Sequence, residues 1–262
     1  MFIVFNKQKI YSYIIALMTV FVLFGGAALL GVDKLDTIET AATTEKLLPI
    51  YSVETNDKNI ALTINCAWNA DDIDTILDTL SKYKVKVTFF MVGDWVDKFP
   101  EAVKKISDAG HEIGNHSNTH PHVNNLTLEK NQEEIKKCAD KVEKITGKRT
   151  TLYRGPYGEY NNTVIKAAEA ENHKTIQWSL DTLDYTGLTG DQMWDRLKDK
   201  LTNGSIVLMH NGTKYTAQAL DKLIYNIQQK GFNIVRVSDL IYSDNYTIDN
   251  TGMQKLLKNN KS

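Results

Sequence analysis

Cysteine is scarce in this chain, and neither sign of charge is in excess. The 262 residues include only 2 cysteines, Cys66 and Cys138, which excludes a secreted scaffold built on several disulfide bonds. Lysine and arginine together number 31 against 32 aspartates and glutamates, so the chain lacks the basic surface expected of a nucleic-acid-binding protein. Internal repeats are also absent from the sequence. The composition suits one ordinary globular core with an uncharged or weakly charged partner.

One long apolar segment lies near the N-terminus. Residues 10–32 carry no charged side chain, and Lys7 and Lys9 precede them. With a helical rise of about 1.5 Å per residue, the segment is long enough to span the roughly 30 Å hydrocarbon layer. The sequence therefore predicts a transmembrane helix in the cell membrane, with the basic flank in the cytoplasm and the rest of the chain outside. A cleavable signal peptide with a secreted product is the alternative, since GGAA supplies small residues for cleavage.

The rest of the sequence divides into parts of different composition. Residues 1–33 are the cytoplasmic stub and membrane segment, 34–57 a polar linker, 58–242 the folded domain and 243–262 a polar, loosely ordered tail. Within 58–242, strand-like runs alternate with helical patterns, as in NIALTIN followed by DDIDTILDTLSKY. This alternation predicts an α/β fold with parallel strands in a closed or nearly closed barrel, with its chemistry at the strand ends.

Polar side chains follow several of the predicted strands. His116 and His120 lie four apart in GHEIGNHSNTH, so on one helical turn both could bind one divalent metal ion. Two loop histidines without a metal are the alternative. Arg154 in LYRGPYGEYN could orient a carboxylate, while Asp181 in WSLDTLDYTG and His210 in SIVLMHN end two further strands. Each signal is weak by itself, because aspartates at turns and hydrogen-bonded histidines are common.

Taken together, these segments resemble the NodB-homology domain of the polysaccharide deacetylases, carbohydrate esterase family 4. The motifs HSNTH, RGPY, DTLDY and LMH occur in the family's order between residues 58 and 242. The lead-in WNADDIDTILDTL is most similar to the PdaB-like subgroup linked to sporulation. The resemblance implies a distorted barrel of seven or eight β/α units, a divalent metal, usually zinc, and hydrolysis of N-acetyl amide bonds. The implied substrate is an extracytoplasmic glycan, above all peptidoglycan or the spore cortex.

The resemblance also assigns roles to residues at matching positions. His116 and His120 would bind the metal, and His210 would be the general acid that protonates the leaving amine. Asp181 would tune His210, and Arg154 would hold the carboxylate of the base. These roles are chemically consistent with amide hydrolysis. An amine anion leaves poorly and so needs an acid, and a bound metal both polarises the amide carbonyl and activates water.

Three further positions are assigned to the substrate by the same resemblance. Tyr157 would offer its backbone N–H to the tetrahedral oxyanion, as expected for a turn after a proline. Leu208 would line the pocket for the acetyl methyl group. Trp68, which follows the first predicted strand, is expected with Tyr157 and Leu208 among the substrate-binding residues.

The first family motif, T-F-D-D, is altered in this chain. It reads Thr63, Ile64, Asn65, Cys66, so the aspartate that acts as general base and the one that acts as third metal ligand are both replaced. Asn65 cannot accept a proton at neutral pH, although it can position water or substrate. Cys66 could replace the metal ligand, since two histidines and one cysteine form a known zinc set, or it could simply pack beside Trp68.

Asp71 and Asp72 offer another substitute for the missing carboxylates, although the first turn of a helix is also a site where aspartates favour the helix dipole. We therefore expect a zinc-dependent deacetylase with reduced activity on an N-acetylated cell-wall glycan. The alternative is a NodB-like glycan-binding or scaffold protein that has lost catalysis. An esterase or amidase for a non-glycan acyl group would share the same site.

Overall fold

The computed structural model describes residues 45–257, and a curled parallel sheet forms its centre. In chain order the strands are β1 (Ser52–Val53), β2 (Asn59–Cys66), β3 (Thr88–Met91), β4 (Glu112–Asn115), β5 (Leu152–Tyr153), β6 (Lys174–Thr175), β7 (Leu180–Asp181), β8 (Ile206–His210), β9 (Asn233–Val235), β10 (Tyr246–Ile248) and β11 (Met253–Leu256). The α-helices are α1 (Ile73–Lys82), α2 (Gly93–Lys98), α3 (Pro100–Asp108), α4 (Leu128–Thr146), α5 (Asn162–Ala170), α6 (Gly190–Leu197), α7 (Thr216–Gln229) and α8 (Val237–Leu240).

The main sheet is a barrel that does not close. Its order is β6-β5-β4-β3-β2-β8-β7, with β9 paired to the beginning of β2. β6 and β7 lie at opposite edges, yet only residues 176–179 connect them. Such a link reaches at most about 18 Å when fully extended, so the sheet must curl until its edges approach each other. The predicted α/β class with parallel strands is confirmed, and the ring is open between β6 and β7 throughout the described part of the chain.

The two faces of β2 have different surroundings. Alternate residues from Ile60 to Cys66 pack into the apolar core that the sheet shares with α1 and α7. Thr63 and Asn65, on the other face, bond Arg154 in the barrel interior. Successive side chains of a strand point to opposite faces, so this one strand contributes both to the helix-covered core and to the polar interior.

Local capping explains where the longest helix of the described residues begins and ends. Thr127 caps α4 by accepting a hydrogen bond from the Lys130 backbone N–H, and Gly147 ends the helix with a φ of 70°. Glycine adopts this left-handed conformation without steric cost. With these two caps the helix spans Leu128–Thr146.

Two boundaries predicted from composition are wrong. The linker prediction reached residue 57, yet Ile50 and Val53 are buried, and β1 pairs with β11. The tail prediction began at residue 243, yet β10 and β11 form an antiparallel hairpin. Within that hairpin Gln254 is fully buried and bonds both the backbone N–H and the carbonyl of Tyr242. Polar composition misled the prediction, because the hairpin is held by backbone pairing and one buried amide instead of a large apolar face.

The described helices do not include a membrane-spanning one: within residues 45–257, none is both long and apolar enough to cross a bilayer. The segment predicted to do so, residues 10–32, lies outside the described residues. The membrane anchor and the location of the folded domain outside the cell therefore stay predictions.

Candidate active site

The carboxyl ends of five strands carry the polar residues that the motifs singled out. Asn65 lies at the end of β2, His116 follows β4, Arg154 follows β5, and Asp181 and His210 end β7 and β8. The register of β2 and β8 places Asn65 opposite His210. The backbone N–H of Arg154 bonds the last carbonyl of β4 at 2.9 Å. Because parallel strands share one direction, all five residues lie at the same end of the barrel.

His210 is held by Asp184. Its Nδ1 lies 2.9 Å from Oδ1 of Asp184, and its backbone N–H donates to Oδ2 of the same carboxylate at 2.6 Å. The hydroxyl of Thr216 donates to that Oδ2 at 2.7 Å, and Asp184 is fully buried. Because an ionised carboxylate only accepts hydrogen bonds, Nδ1 carries the ring proton and Nε2 is the nitrogen left for proton transfer.

Asp181 does not make the contact predicted for it. Its Oδ1 accepts a 2.8 Å hydrogen bond from the backbone N–H of Leu183, which has a left-handed φ of 54°. Burial raises the pKa of Asp181, and the nearby charge of His210 opposes that rise. The prediction that Asp181 tunes His210 is therefore corrected: the turn at Leu183 brings the second aspartate of DTLDY, Asp184, into hydrogen-bond contact. Both aspartates were visible in the motif, but the turn between them was not.

Arg154 is the largest fully buried polar side chain of the site. One terminal nitrogen donates to the Thr63 hydroxyl at 2.8 Å and to the Asn65 carbonyl oxygen at 3.0 Å. The other donates to the backbone carbonyl of Gln177 at 3.0 Å. Burial lowers the pKa of the Arg154 guanidinium, and the charge of Asp181 opposes this. The buried cation therefore meets a neutral amide at the position where the family motif has a carboxylate.

His116 and His120 meet in a loop, whereas the prediction placed them on one helical turn. The chain takes left-handed conformations at Ser117 (φ 64°) and His120 (φ 59°), and the two ring centroids are 5.0 Å apart. Nδ1 of His116 lies 2.7 Å from the backbone oxygen of Arg154, and its Nε2 lies 3.3 Å from Nδ2 of Asn65. Burial and the charge of His120 lower the pKa of His116, so this ring is neutral at pH 7.

Aromatic side chains surround the histidines at the mouth of the barrel. The rings of Trp68 and Tyr185 lie 5.4 and 5.3 Å from the His210 ring, and each side chain is 49% exposed. Tyr157, which is also exposed, lies 4.6 Å from the His120 ring. A cavity of about 280 Å³ lies between Trp68 and Tyr185. An open, aromatic-lined cavity beside a few polar groups is a typical binding site for a small ligand or one unit of a polymer.

Two other predicted positions differ in exposure. Tyr157 has a left-handed backbone (φ 58°, ψ 12°) in the turn after β5, and its ring stacks on His122 at 4.4 Å. Leu208 lies in β8, is 3% exposed, and sits two residues before His210. The turn therefore presents Tyr157 to solvent, while Leu208 is part of the packed interior.

A family model described as polysaccharide deacetylase matches residues 52–176. A peptidoglycan-N-acetylglucosamine deacetylase of Bacillus cereus is 31% identical over 200 residues, which cover 75% of this chain and 73% of that protein. The chain belongs to the polysaccharide deacetylase family. Its fold and descent are those of a deacetylase that hydrolyses amide bonds, as its motifs predicted.

Two other relatives of this polysaccharide deacetylase are named without a deacetylase activity. The uncharacterized protein YlxY of Bacillus subtilis is 34% identical over 193 residues, covering 74% of this chain but only 60% of that protein. The structure of BA3943, described as a CE4 family pseudoenzyme from Bacillus anthracis, matches with a TM-score of 0.71 and 35% identity, covering 73% of this chain and 68% of that one. A mutant of BA3943 is described as having restored enzymatic activity.

In this member of the family the side chains do not fit the three-ligand metal centre that the resemblance implied. Within residues 45–257, no three His, Cys, Asp or Glu side chains are placed to hold a metal ion. Cys66, the predicted third ligand, is fully buried in the apolar core beside the helices, and burial raises the pKa of its thiol. The prediction for Cys66 is therefore corrected, since the alternation of β2 turns its side chain away from the face that carries Asn65.

Asp72 was a possible substitute for a missing carboxylate, and the structure gives it a different contact. Its carboxylate accepts hydrogen bonds from Nδ2 of Asn211 at 3.2 Å and from the backbone N–H of Gly212 at 2.7 Å. These bonds tie the loop after β2 to the residues that follow His210. This contact could not be predicted from a local pattern, because 139 residues separate Asp72 from Asn211. Asp71 is exposed.

Proposed function

We propose that this polysaccharide deacetylase removes N-acetyl groups from a cell-wall glycan, with peptidoglycan as its substrate, and that it does so slowly. The observation that carries the proposal is the pair of His210 and Asp184 beside the aromatic cavity. Asp184 fixes the ring through Nδ1, so that Nε2, once it has taken up a second ring proton from solvent, can give that proton to the leaving amine, which would otherwise leave as a poor anion. The activity named for the Bacillus cereus relative supports peptidoglycan as the substrate.

The slow step in this proposal is the activation of water. Asn65 stands in the base position and cannot take a proton at neutral pH. Arg154 holds its amide in place, so Asn65 can orient a water molecule or the acetyl group by hydrogen bonds alone. General-base help is typically worth about 10²–10⁴-fold in rate, and we expect a loss of that size. We further propose that the Tyr157 backbone N–H stabilises the oxyanion and that Leu208 contacts the acetyl methyl.

A second candidate is a protein that binds the same glycan without hydrolysing it. The amide at position 65 favours this candidate, and so does the similarity to BA3943, which is described as a pseudoenzyme. The exposed rings of Trp68 and Tyr185 would still offer faces for sugar rings. Both candidates need the intact cavity between Trp68 and Tyr185, and only the first needs proton transfer by His210.

Acetate release separates the two candidates. The full chain and its His210→Ala variant would be incubated with peptidoglycan fragments, and glycan binding would be measured on the same samples. We expect acetate from the native chain, no acetate from His210→Ala, and similar binding by both. Binding without acetate from the native chain would support the second candidate. If neither acetate nor binding were detected on any N-acetylated glycan, both candidates would fail.

We also propose that residues 10–32 hold the protein in the cell membrane with the folded domain outside, where peptidoglycan lies. The length of the uncharged segment and the two lysines before it support this orientation. Externally added protease should digest the domain in intact spheroplasts, and the chain should sediment with membranes. Recovery of a shortened chain from the culture medium would support cleavage of a signal peptide instead. A spore-cortex substrate stays a prediction, whereas zinc has no part in this proposal, because the side chains of residues 45–257 do not fit a three-ligand metal centre.

A further inference from the structure

The hydrogen bonds around Asn65 form a closed ring. A terminal nitrogen of Arg154 donates to Oδ1 of Asn65 at 3.0 Å, and Nδ2 of Asn65 lies 3.3 Å from Nε2 of His116. Nδ1 of His116 then lies 2.7 Å from the backbone oxygen of Arg154, where the ring began. All three side chains are buried, with exposures of 0%, 5% and 3% for Arg154, Asn65 and His116. Water therefore competes little for these bonds.

The partners fix the direction of every bond in the ring. Arginine carries only donors, so the oxygen of the Asn65 amide must face Arg154 and its NH₂ group must face His116. A carbonyl only accepts, so Nδ1 of His116 carries the ring proton and Nε2 presents its lone pair. The Asn65 amide therefore donates to that lone pair. Turning the amide over would set its NH₂ group against the donors of Arg154.

We propose that the Asn65 amide takes the position of a cation at His116 and closes this site to metal. An imidazole binds a metal through the lone pair of one ring nitrogen. In His116 one nitrogen is protonated and bonded to a carbonyl, and the other already accepts from Asn65. A metal could bind only after the ring opens at Asn65, which would leave a buried amide donor without a partner. An aspartate here would present oxygen to Nε2, and the ring could not close without a cation or an added proton.

Blocking of His116 by the Asn65 amide differs from the mere absence of a metal ligand, and one substitution distinguishes these two possibilities. If the chain merely lacks a ligand, removing the Asn65 side chain should leave zinc affinity unchanged or weaker. If the amide blocks His116, Asn65→Ala should free the lone pair and bind Zn²⁺ about five- to a hundredfold more tightly than the native chain, because no buried amide donor is then left without a partner. The measurement is calorimetric titration of the full chain with zinc chloride. Equal or weaker binding by Asn65→Ala would overturn the proposal.

Three further variants locate the effect. Asn65→Asp should bind zinc more tightly than Asn65→Ala, because it removes the donor and also adds an oxygen. Adding His116→Ala to Asn65→Ala should abolish the gain. Asn69→Asp, which adds the same charge at an exposed position of the loop after β2, should bind zinc like the native chain. A gain in Asn69→Asp as large as that in Asn65→Asp would show a general effect of charge and overturn the proposal.

A second measurement applies even if Asn65→Ala does not fold. In the native chain labelled with ¹⁵N-histidine, His116 should show a protonated Nδ1 and an unprotonated Nε2. Addition of one equivalent of zinc should leave the Nε2 resonance of His116 in place. A zinc-induced shift of that resonance at stoichiometric metal would contradict the proposal directly. The result does not depend on whether the protein hydrolyses any glycan, so it fails or succeeds separately from the proposed function.

Discussion

At position 65 an amide nitrogen faces His116, where the family motif would supply a carboxylate oxygen. The substitution itself can be predicted from the sequence, since the motif reads Asn65-Cys66 in place of two aspartates. The direction of the amide could not be predicted, because Arg154, which fixes it, lies 89 residues away in the chain. The same limit applies to Asp184, whose contact with His210 depends on a turn that no residue type in the motif requires.

Replacement of Asp184 tests whether it, and not Asp181, supports His210. Asp184→Asn should lower the free energy of unfolding by about 3 kcal/mol, because one oxygen of a buried carboxylate with several donors becomes a donor itself. Asp181→Asn should cost about 1 kcal/mol or less, since its carboxylate accepts one backbone N–H beside solvent. Urea unfolding at pH 7 measures both values. A larger loss for Asp181→Asn than for Asp184→Asn would reverse the assignment.

Among the secondary-structure elements, the long ones could be predicted and the shortest ones could not. β2 and β8 are apolar runs with clear ends, and both occur where the sequence predicted strands. β6, by contrast, is only two residues long and stops at Thr175. Residues 176–179 then cross the open gap between β6 and β7, where isolated bonds, such as that from the Ile176 N–H to the Tyr153 carbonyl at 2.8 Å, replace a continuous ladder.

The C-terminal hairpin is an element that composition concealed, and truncation tests its contribution. Ending the chain after residue 243 should destabilise the domain by about 2 kcal/mol or more, because β1 loses its partner and Tyr242 loses two bonds to Gln254. The chain ended after residue 257, which keeps the whole hairpin, is the matched reference. Thermal unfolding of the two truncated chains gives the comparison. Equal melting temperatures would restore the interpretation of a loose tail.

Two histidines at the beginnings of β4 and β6 make stability depend on pH. Burial lowers the pKa of His111 and of His173 to about 4. In an unfolded chain the pKa is about 6.5, so the unfolded state binds more protons between these values. Stability should therefore be complete above about pH 6.5 and fall as the pH is lowered towards 4. In urea unfolding at several pH values, the free energy of unfolding of His173→Gln should fall less steeply below pH 6.5 than that of the native chain. An unchanged slope would show that burial of His173 is not a cause of the pH dependence.

For the whole molecule, the alternation of strands and helices together with four ordered motifs was enough to predict the α/β class and the end of the barrel that carries the site. Parallel strands bring their carboxyl ends together whatever their order, so the location of the site could be predicted without knowing which strands pair. The three-stranded sheet of β1, β11 and β10 and the open gap between β6 and β7 depend on contacts between distant segments, such as that of β1 with β11, which local patterns do not encode. The resulting site keeps His210, which we propose as the proton donor, and has Asn65 in the position of the base.

The most direct test of this account compares acetate release by the native chain and by Asn65→Asp on the same peptidoglycan fragments, with zinc supplied to both. A carboxylate at position 65 would pair with Arg154 and could accept a proton from water. We predict that Asn65→Asp releases acetate about 10²-fold faster or more, the usual contribution of a general base. Equal rates from the two proteins would show that position 65 does not limit turnover and would contradict the account.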